Sequence, residues 1–273
     1  MPTPREGYVS LKQWEGYMEP FCIFGNVYFV GCKYVSSHII DTGDGLILLD
    51  SSYPQCLYLV TEGMRKLGLD PADIKYILHS HGHYDHLGGT RALIELYGCK
   101  TIIGRADRDY ANGKVDLTWA KELGFEYFET FEPDILLDDG DTIELGNTKI
   151  KAVHTPGHTP GTMSYFFDVT DGKNTYRAAM FGGAGTAAMR KDFLARYNLP
   201  ISCRDDFLNS IEKIKNEKVD IALGNHVGDI INIPGRYKLM KEEGGNPFID
   251  PTVWTRDLEF RKQQLEKLIA SGE

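Results

Sequence analysis

Cysteine is scarce in this chain and unpaired. Cys22, Cys32, Cys56, Cys99 and Cys203 are five in number, widely spaced and without a CxxC pair. An odd, dispersed set supplies neither a disulfide framework nor a thiolate zinc site, so each is read as a free thiol, buried or half-buried. Basic charge is also short. Lys+Arg 30 against Asp+Glu 39 gives a formal net charge of −9, which leaves no footprint for phosphates and excludes a general nucleic-acid partner. A bound divalent metal can still dominate its local field. No apolar run approaches the roughly 20 residues of a membrane-spanning helix, so no membrane partner is expected. Residues 1–16 are polar and lack the apolar region of a signal peptide, which points to the cytoplasm unless a leader has been removed. Solenoid repeats, low-complexity tracts and blocks of like charge are absent too.

What is present is a chain of 273 residues, ordinary in composition and long enough for one large domain or two halves sharing a sandwich. The spacing reads as one domain over 1–273, with a core at about 21–226 and an extension at 227–273 ending in a helix. Residues 21–30 and 36–40 are β-rich, and Asp41-Thr42-Gly43-Asp44-Gly45 turns into a strand at 46–50. A helix from Pro54 to about Leu67 stops at Gly68, followed by a strand at 73–78, a helix near 90–97 and a strand at 100–103. Residues 104–132 read as mostly helical and polar-aromatic, a surface excursion outside the core. Strands follow at 135–137, 142–145, 149–153, 162–169 and 175–181, then helices near 186–197 and 204–217. A strand at 220–223 and an amphipathic helix at 252–270 complete the pattern. The alternation suggests an α/β fold, two sheets face to face with helices outside.

The chemistry concentrates in His81-Gly82-His83-Tyr84-Asp85-His86, directly after the apolar strand. Imidazole and carboxylate suit zinc and other borderline divalent ions. Burying three histidines and an aspartate within six residues without a metal would strand several polar atoms. Histidines two apart can approach one ion, and the Asp-His pair beyond them a second. Gly82 permits a tight turn between ligands, and Gly88-Gly89 lets the next helix pack close. A second element, Thr155-Pro156-Gly157-His158-Thr159-Pro160-Gly161, fixes one histidine on a stiff loop at a strand end. A third, Gly224-Asn225-His226, places another histidine after an apolar strand.

HxHxDH, TPGHTPG and a late strand-end histidine together resemble the metallo-β-lactamase superfamily, over about 21–226. The residues 73–78, Asp139-Gly140-Asp141 and TPGHTPGT are most similar to the third subclass of the zinc β-lactamases. The resemblance implies an αββα four-layer sandwich, with two mixed β-sheets, helices on the outer faces and metals along one edge. It implies one or two zinc ions, with His81, His83 and His158 at the first and Asp85, His86 and His226 at the second. Many superfamily hydrolases carry a bridging aspartate where this chain reads Gly182-Gly183-Ala184-Gly185. The third subclass lacks it as well, and its loss weakens the second site. The serines that hold the β-lactam carboxylate in that subclass are missing here, where the loop offers Thr186.

The expected activity is metal-assisted hydrolysis of an amide, lactam or related activated acyl bond of a small molecule. Zinc brings the pKa of a bound water towards about 7, and Asp85 is the expected catalytic residue, orienting that nucleophile and taking its proton. Lactone or thioester hydrolysis is the alternative, as in glyoxalase II. An iron oxidoreductase is the more distant rival. The flavodiiron pattern places Glu where His83 stands, and the persulfide dioxygenase needs the absent aspartate. Six converging ligands serve no purpose in a purely structural scaffold. His79, His154 and His38 are read as structural. Asp50 is a candidate to orient a ligating histidine, and Tyr84 either faces substrate or covers the loop. Tyr84, residues 181–190 and residues 246–250 are the candidate pocket walls. The Gly182–Gly185 stretch lacks the lysine and Ser/Thr of a phosphate-binding loop. The oligomeric state is left open.

Overall fold

The computed structural model describes residues 12–273; the polar N-terminal stretch lies outside the described residues as far as residue 11. Seven strands make the first sheet in sequence order: β1 (Phe21–Phe24), β2 (Val27–Phe29), β3 (His38–Asp41), β4 (Leu46–Leu49), β5 (Ile74–Leu78), β6 (Lys100–Gly104) and β7 (Ile135–Leu137). The first four are antiparallel hairpins, and β4 to β7 run parallel. Parallel pairing needs crossovers. These are α1 (Leu57–Lys66), the single turn α2 (Tyr84–Leu87) with α3 (Thr90–Tyr97), and a longer excursion containing α4 (Arg108–Ala111). The second sheet has the order β12-β11-β10-β9-β8, built from β8 (Thr142–Leu145), β9 (Thr148–His154), β10 (Met163–Thr170), β11 (Thr175–Met180) and β12 (Ile221–Leu223). Only β11–β12 is parallel in it. Helices α5 (Lys191–Arg196), α6 (Cys203–Ile214), α7 (Ile233–Glu243) and α8 (Thr252–Ala270) follow β11 and flank β12 in the chain.

Strand alternation distributes side chains between layers. In β4, Leu46 and Leu48 pack with Val60, Met64 and Leu93 of α1 and α3, whereas Ile47 and Leu49 enter the main core with Tyr165 and Phe167 of β10. The inter-sheet contact is also polar at one point, where the Tyr165 hydroxyl donates to the His79 carbonyl. On the far face, Phe166 meets Trp254 of α8 edge-on at 5.5 Å, and the Trp254 indole N–H donates to Ile214 O at 3.2 Å. The stack is therefore helices, sheet, sheet, helices, the expected αββα sandwich of two mixed sheets.

Residues 21–30, read as β-rich, form a hairpin turned at Gly25 with φ +53°. Other readings need correction. Residues 104–132 hold only α4 and two short 3-10 turns, because Gly113 and Gly124 take left-handed conformations that interrupt a helix. Nor is that segment wholly outside the core: Tyr110, Ala111, Leu117, Ala120 and Phe131 are buried. The stretch 227–273 packs inward as well, with Val253, Trp254, Leu258 and Leu265 in the main core. Helix α7 was not anticipated. Its sequence signals are Asn232, whose side chain accepts from Gly235 N, and a proline in the first turn. Only Ile233 of it is buried, so it shows no apolar face.

Candidate metal centre

The parallel strands β5, β6 and β12 all end at one edge of the sandwich, where open α/β sheets place ligands. His81 and His83 follow β5, and α2 then carries Asp85 and His86. His158 comes from the loop between β9 and β10, and His226 from just beyond β12. The fold gathers all six into two groups, His81-His83-His158 and Asp85-His86-His226. Within each group the candidate donor atoms lie within 4.8 Å of one another. Rings of His81 and His86 stand 4.2 Å apart between centroids, which joins the groups side by side.

The hydrogen bonds on the outer ring nitrogens decide which tautomer each histidine adopts. His158 Nδ1 faces Gly185 O at 3.0 Å, and His226 Nδ1 faces Tyr34 O at 3.0 Å. A carbonyl only accepts, so both Nδ1 atoms carry hydrogen and both Nε2 atoms present lone pairs. His86 Nδ1 lies 2.8 Å from Asp50 Oδ2 and donates to it. Ser80 Oγ donates to the same Asp50 oxygen at 2.7 Å and accepts from His81 Nδ1 at 3.0 Å. The inner atoms converge, His81 Nε2 and His158 Nε2 each 3.1 Å from His83 Nδ1, and His86 Nε2 3.3 Å from His226 Nε2, with the lone pairs of His81, His158 and His226 turned inward. Converging lone pairs repel unless a cation sits among them, and nitrogen and carboxylate donors match a borderline divalent ion. The residues fit a metal.

Electrostatics agree. Burial pushes His83 down to about 4, and burial with neighbouring imidazoles holds His81 and His158 well below the usual histidine range, so all three stay neutral. Burial would lower His86 too, but the carboxylates of Asp85 and Asp50 push it up to about 10. Burial would raise Asp85, yet His86, His226 and His83 hold it well below the carboxylate range. Positive charge is favoured at the second group.

Two carboxylates brace the ligand loops. Asp50, in a left-handed conformation with φ 57°, accepts from Ser80 N and Ser80 Oγ, each at 2.7 Å, as well as from His86. It thus orients one histidine in each group. Asp107, just past β6, accepts from Gly82 N at 2.8 Å, Gly161 N at 2.7 Å and Thr159 Oγ1 at 2.5 Å, tying the two histidine loops together. Burial raises Asp107 to about 6 against those three donors. Gly82 is needed for close approach, since a Cβ there would stand 2.8 Å from the Tyr110 ring.

Above the groups lies a pocket of about 520 Å³ reached by His83, Asp85, His158 and His226. Ala184, Gly185, Ala187 and Ala188 line it, as expected of residues 181–190. Trp119 and Leu123 come from the long excursion; Lys33, Arg261 and Gln264 line the pocket as well. Tyr84 covers the loop: it is buried and its hydroxyl donates to Gln55 Oε1 at 2.9 Å. Residues 246–250 do not border this pocket. Pro247, Ile249 and Asp250 line another cleft, beside Arg236. His79 bonds Ile102 O and Thr90 Oγ1, and His154 bonds Pro160 O. His38 is more than a strand residue, for its Nε2 reaches Gly224 O at 2.9 Å, two residues before His226. Asp107, Trp119 and Arg261 were missed, and only the place of Asp107 after a parallel strand signalled it.

Fold and site define a sandwich hydrolase architecture with a histidine-rich edge, and the chain belongs to the metallo-beta-lactamase superfamily, whose profile matches residues 30–171. The structure is similar to that of a subclass B3 metallo-beta-lactamase of Bradyrhizobium japonicum. Identity is 30% and TM-score 0.83, over 97% of this chain and 100% of that one. In sequence it resembles a hydroxyacylglutathione hydrolase of Pelagibacter ubique, 35% identical over 196 residues, 66% of this chain and 69% of that protein. An uncharacterised protein of Aquifex aeolicus is 35% identical over 85 residues, 31% of this chain and only 39% of the relative. No helix among the described residues is long and apolar enough to cross a membrane.

Proposed function

We propose that this chain is a zinc-dependent hydrolase that cleaves an amide, lactam or related activated acyl bond of a small molecule. His81, His83 and His158 would hold one zinc, and Asp85, His86 and His226 a second. The observation carrying this reading is the convergence of donor atoms from five histidines and one carboxylate, beneath an open pocket. When bound, zinc supplies a Lewis acid and a water acidic near neutral pH. Asp85 does the remaining work within the chain. Its carboxylate is 12% exposed towards the pocket and 3.3 and 3.6 Å from the nitrogens of His86 and His226. There it can orient the attacking water and accept its proton. His86 and His226, held by Asp50 and Tyr34 O, keep that carboxylate ionised.

Thioester or lactone hydrolysis is the second reading. The likeness to a hydroxyacylglutathione hydrolase favours it, as does the pocket wall at 182–185, which has no hydroxyl to anchor a β-lactam carboxylate. Elemental analysis with a panel of penicillins, cephalosporins, carbapenems, lactones and thioesters tests both. We expect zinc, with weak β-lactam turnover. Full activity after chelation would overturn the metal reading, and efficient turnover of all three lactam classes would overturn the expectation of weakness.

A further inference from the structure

Lys33, Arg261 and Gln264 bring two segments far apart in sequence together at the pocket. Lys33 sits in a tight turn closed by Cys32 N to Val35 O at 3.0 Å, and its own N–H donates to Gly16 O at 2.9 Å. The next two residues hold His226, Tyr34 through its carbonyl and Val35 through a β-bridge. The backbone beneath Lys33 is therefore fixed by the contacts that fix His226, while its exposed side chain lines the pocket. Arg261 and Gln264 come from α8, three residues apart and so on one face.

The charges on this wall are unequal in their engagement. Asp85 is occupied by His86 and His226, and Asp229 receives Arg261 Nη1 at 2.8 Å. Arg261 is buried, and its Nε and Nη2 donate to Asp257. That uses three of the five N–H groups of a guanidinium. Lys33 makes no ion pair among the described residues. Gln264 adds a buried side-chain oxygen without a hydrogen-bond partner, an arrangement that folding alone disfavours.

We propose that Lys33, with the spare N–H groups of Arg261 and the carboxamide of Gln264, forms a subsite for a substrate carboxylate. The carboxylate lies on the part of the molecule that leaves, and Trp119 receives the apolar part of the acyl group. A monoanion matches the single uncompensated ammonium, whereas a dianionic phosphate would face Asp229 with too little opposing charge. The unpartnered Gln264 oxygen suits an N–H next to that carboxylate, as in an N-acyl amino acid. This inference rests on the hydrolase reading for its catalytic consequence, and on the pocket alone for binding.

The test uses zinc-loaded protein and two matched pairs of compounds. The first is the thioester of phenylacetic acid with mercaptoacetate, against its methyl ester, followed by thiol release. The preference in kcat/KM for the free carboxylate should fall at least about tenfold in Lys33→Met, as expected for losing one charge-assisted hydrogen bond, and mainly through KM. Lys33→Arg should keep it. An unchanged preference in Lys33→Met overturns the subsite. The second pair is phenylacetylglycine and its methyl ester, measured by calorimetry, which decides the matter even if neither thioester is cleaved. Absence of cleavage would count against the acyl hydrolase reading alone. Binding of phenylacetylglycine weakened at least about tenfold in Lys33→Met, with the ester much less affected, supports the subsite. Equal binding of acid and ester by the unaltered protein overturns it, as does equal binding of the acid by protein and variant.

Discussion

Asp50→Asn isolates the contribution of one buried carboxylate to both candidate metal groups. The change preserves shape, and asparagine tolerates the left-handed backbone that Asp50 adopts at φ 57°. Asp50 accepts three hydrogen bonds, from Ser80 N, Ser80 Oγ and His86 Nδ1. Asparagine offers one oxygen and one NH2 in place of two oxygens. Whichever way the amide turns, the NH2 faces a buried donor: Ser80 N in one orientation, Ser80 Oγ and His86 Nδ1 in the other. One unsatisfied buried donor costs about 1–3 kcal/mol. Partners that orient metal-ligating histidines typically carry about 10–100-fold in metal affinity, or roughly 1.4–2.8 kcal/mol. Asp50→Asn should therefore fold and weaken zinc binding by one to two orders of magnitude, read by competition with a chromophoric chelator. Because Ser80 relays the effect to His81, both groups should weaken, the second more, since His86 touches Asp50 directly. Zinc affinities within about twofold of the unaltered protein in both groups would show that Asp50 shapes the loop without tuning its ligands.

Asp85→Asn should stay folded, retain zinc in the His81-His83-His158 group and lose at least about a hundredfold in kcat, the lower range for a general base. A near-normal kcat with only KM raised would place the proton acceptor elsewhere. His226→Ala should abolish the weaker of two zinc-binding phases in a titration of apoprotein and spare the tighter; two unaltered phases would remove His226 from the ligands. Asp107 has its carboxyl raised from 3.8 to about 6 by burial, so the folded protein binds its proton more tightly than the unfolded chain. That contribution is complete below about pH 4 and is lost as pH rises through about 6, an amount on the order of 3 kcal/mol. Urea unfolding should show a steeper loss of stability over this interval for the unaltered protein than for Asp107→Asn, and parallel curves would mean that Asp107 is ionised throughout.

The six residues of the two groups could be read in advance because four of them fall within six positions of sequence. The other two sit on short motifs at strand ends, where apolar runs give way to glycine and proline. Such local density requires no knowledge of what lies across the fold. Asp50 was half legible, as the last residue of an apolar strand beside the motif strand. Trp119 and Arg261 were not legible, and Asp107 only by its place after a parallel strand, since each reaches the site or its wall through a contact 25 or more positions away in sequence. Trp119 illustrates the reason. It adopts φ +66°, and its ring lies tilted beside both His83 and Phe193, 5.9 and 4.7 Å between centroids. Composition marked its segment as surface, but tertiary packing made it a wall of the pocket. The outlying element α7 was missed for the opposite reason, because its capping signals were present while its exposed faces gave no apolar period.

The glycine wall then bears on which substrates fit. Gly183 does more than lack a serine. A Cβ at that position would stand 2.6 Å from the Cβ of His158, so any side chain there would displace a candidate ligand of the first group. Gly182 is equally closed, since its Cβ would meet Met163 O at 1.9 Å, and Asn225 Nδ2 donates to its carbonyl at 2.7 Å. Neither position can receive a hydroxyl anchor or a bridging carboxylate by simple substitution. Gly185 is different: a Cβ there would meet nothing within 4 Å, but its φ of +87° disfavours any residue that carries one. Recognition of a polar substrate group is thereby shifted away from the β11 side of the pocket. Among the donors that remain are those of the turn carrying Lys33 and of α8, the helix that the C-terminal segment folds back against the second sheet. In this chain, what holds His226 and what meets the substrate are neighbouring parts of one wall.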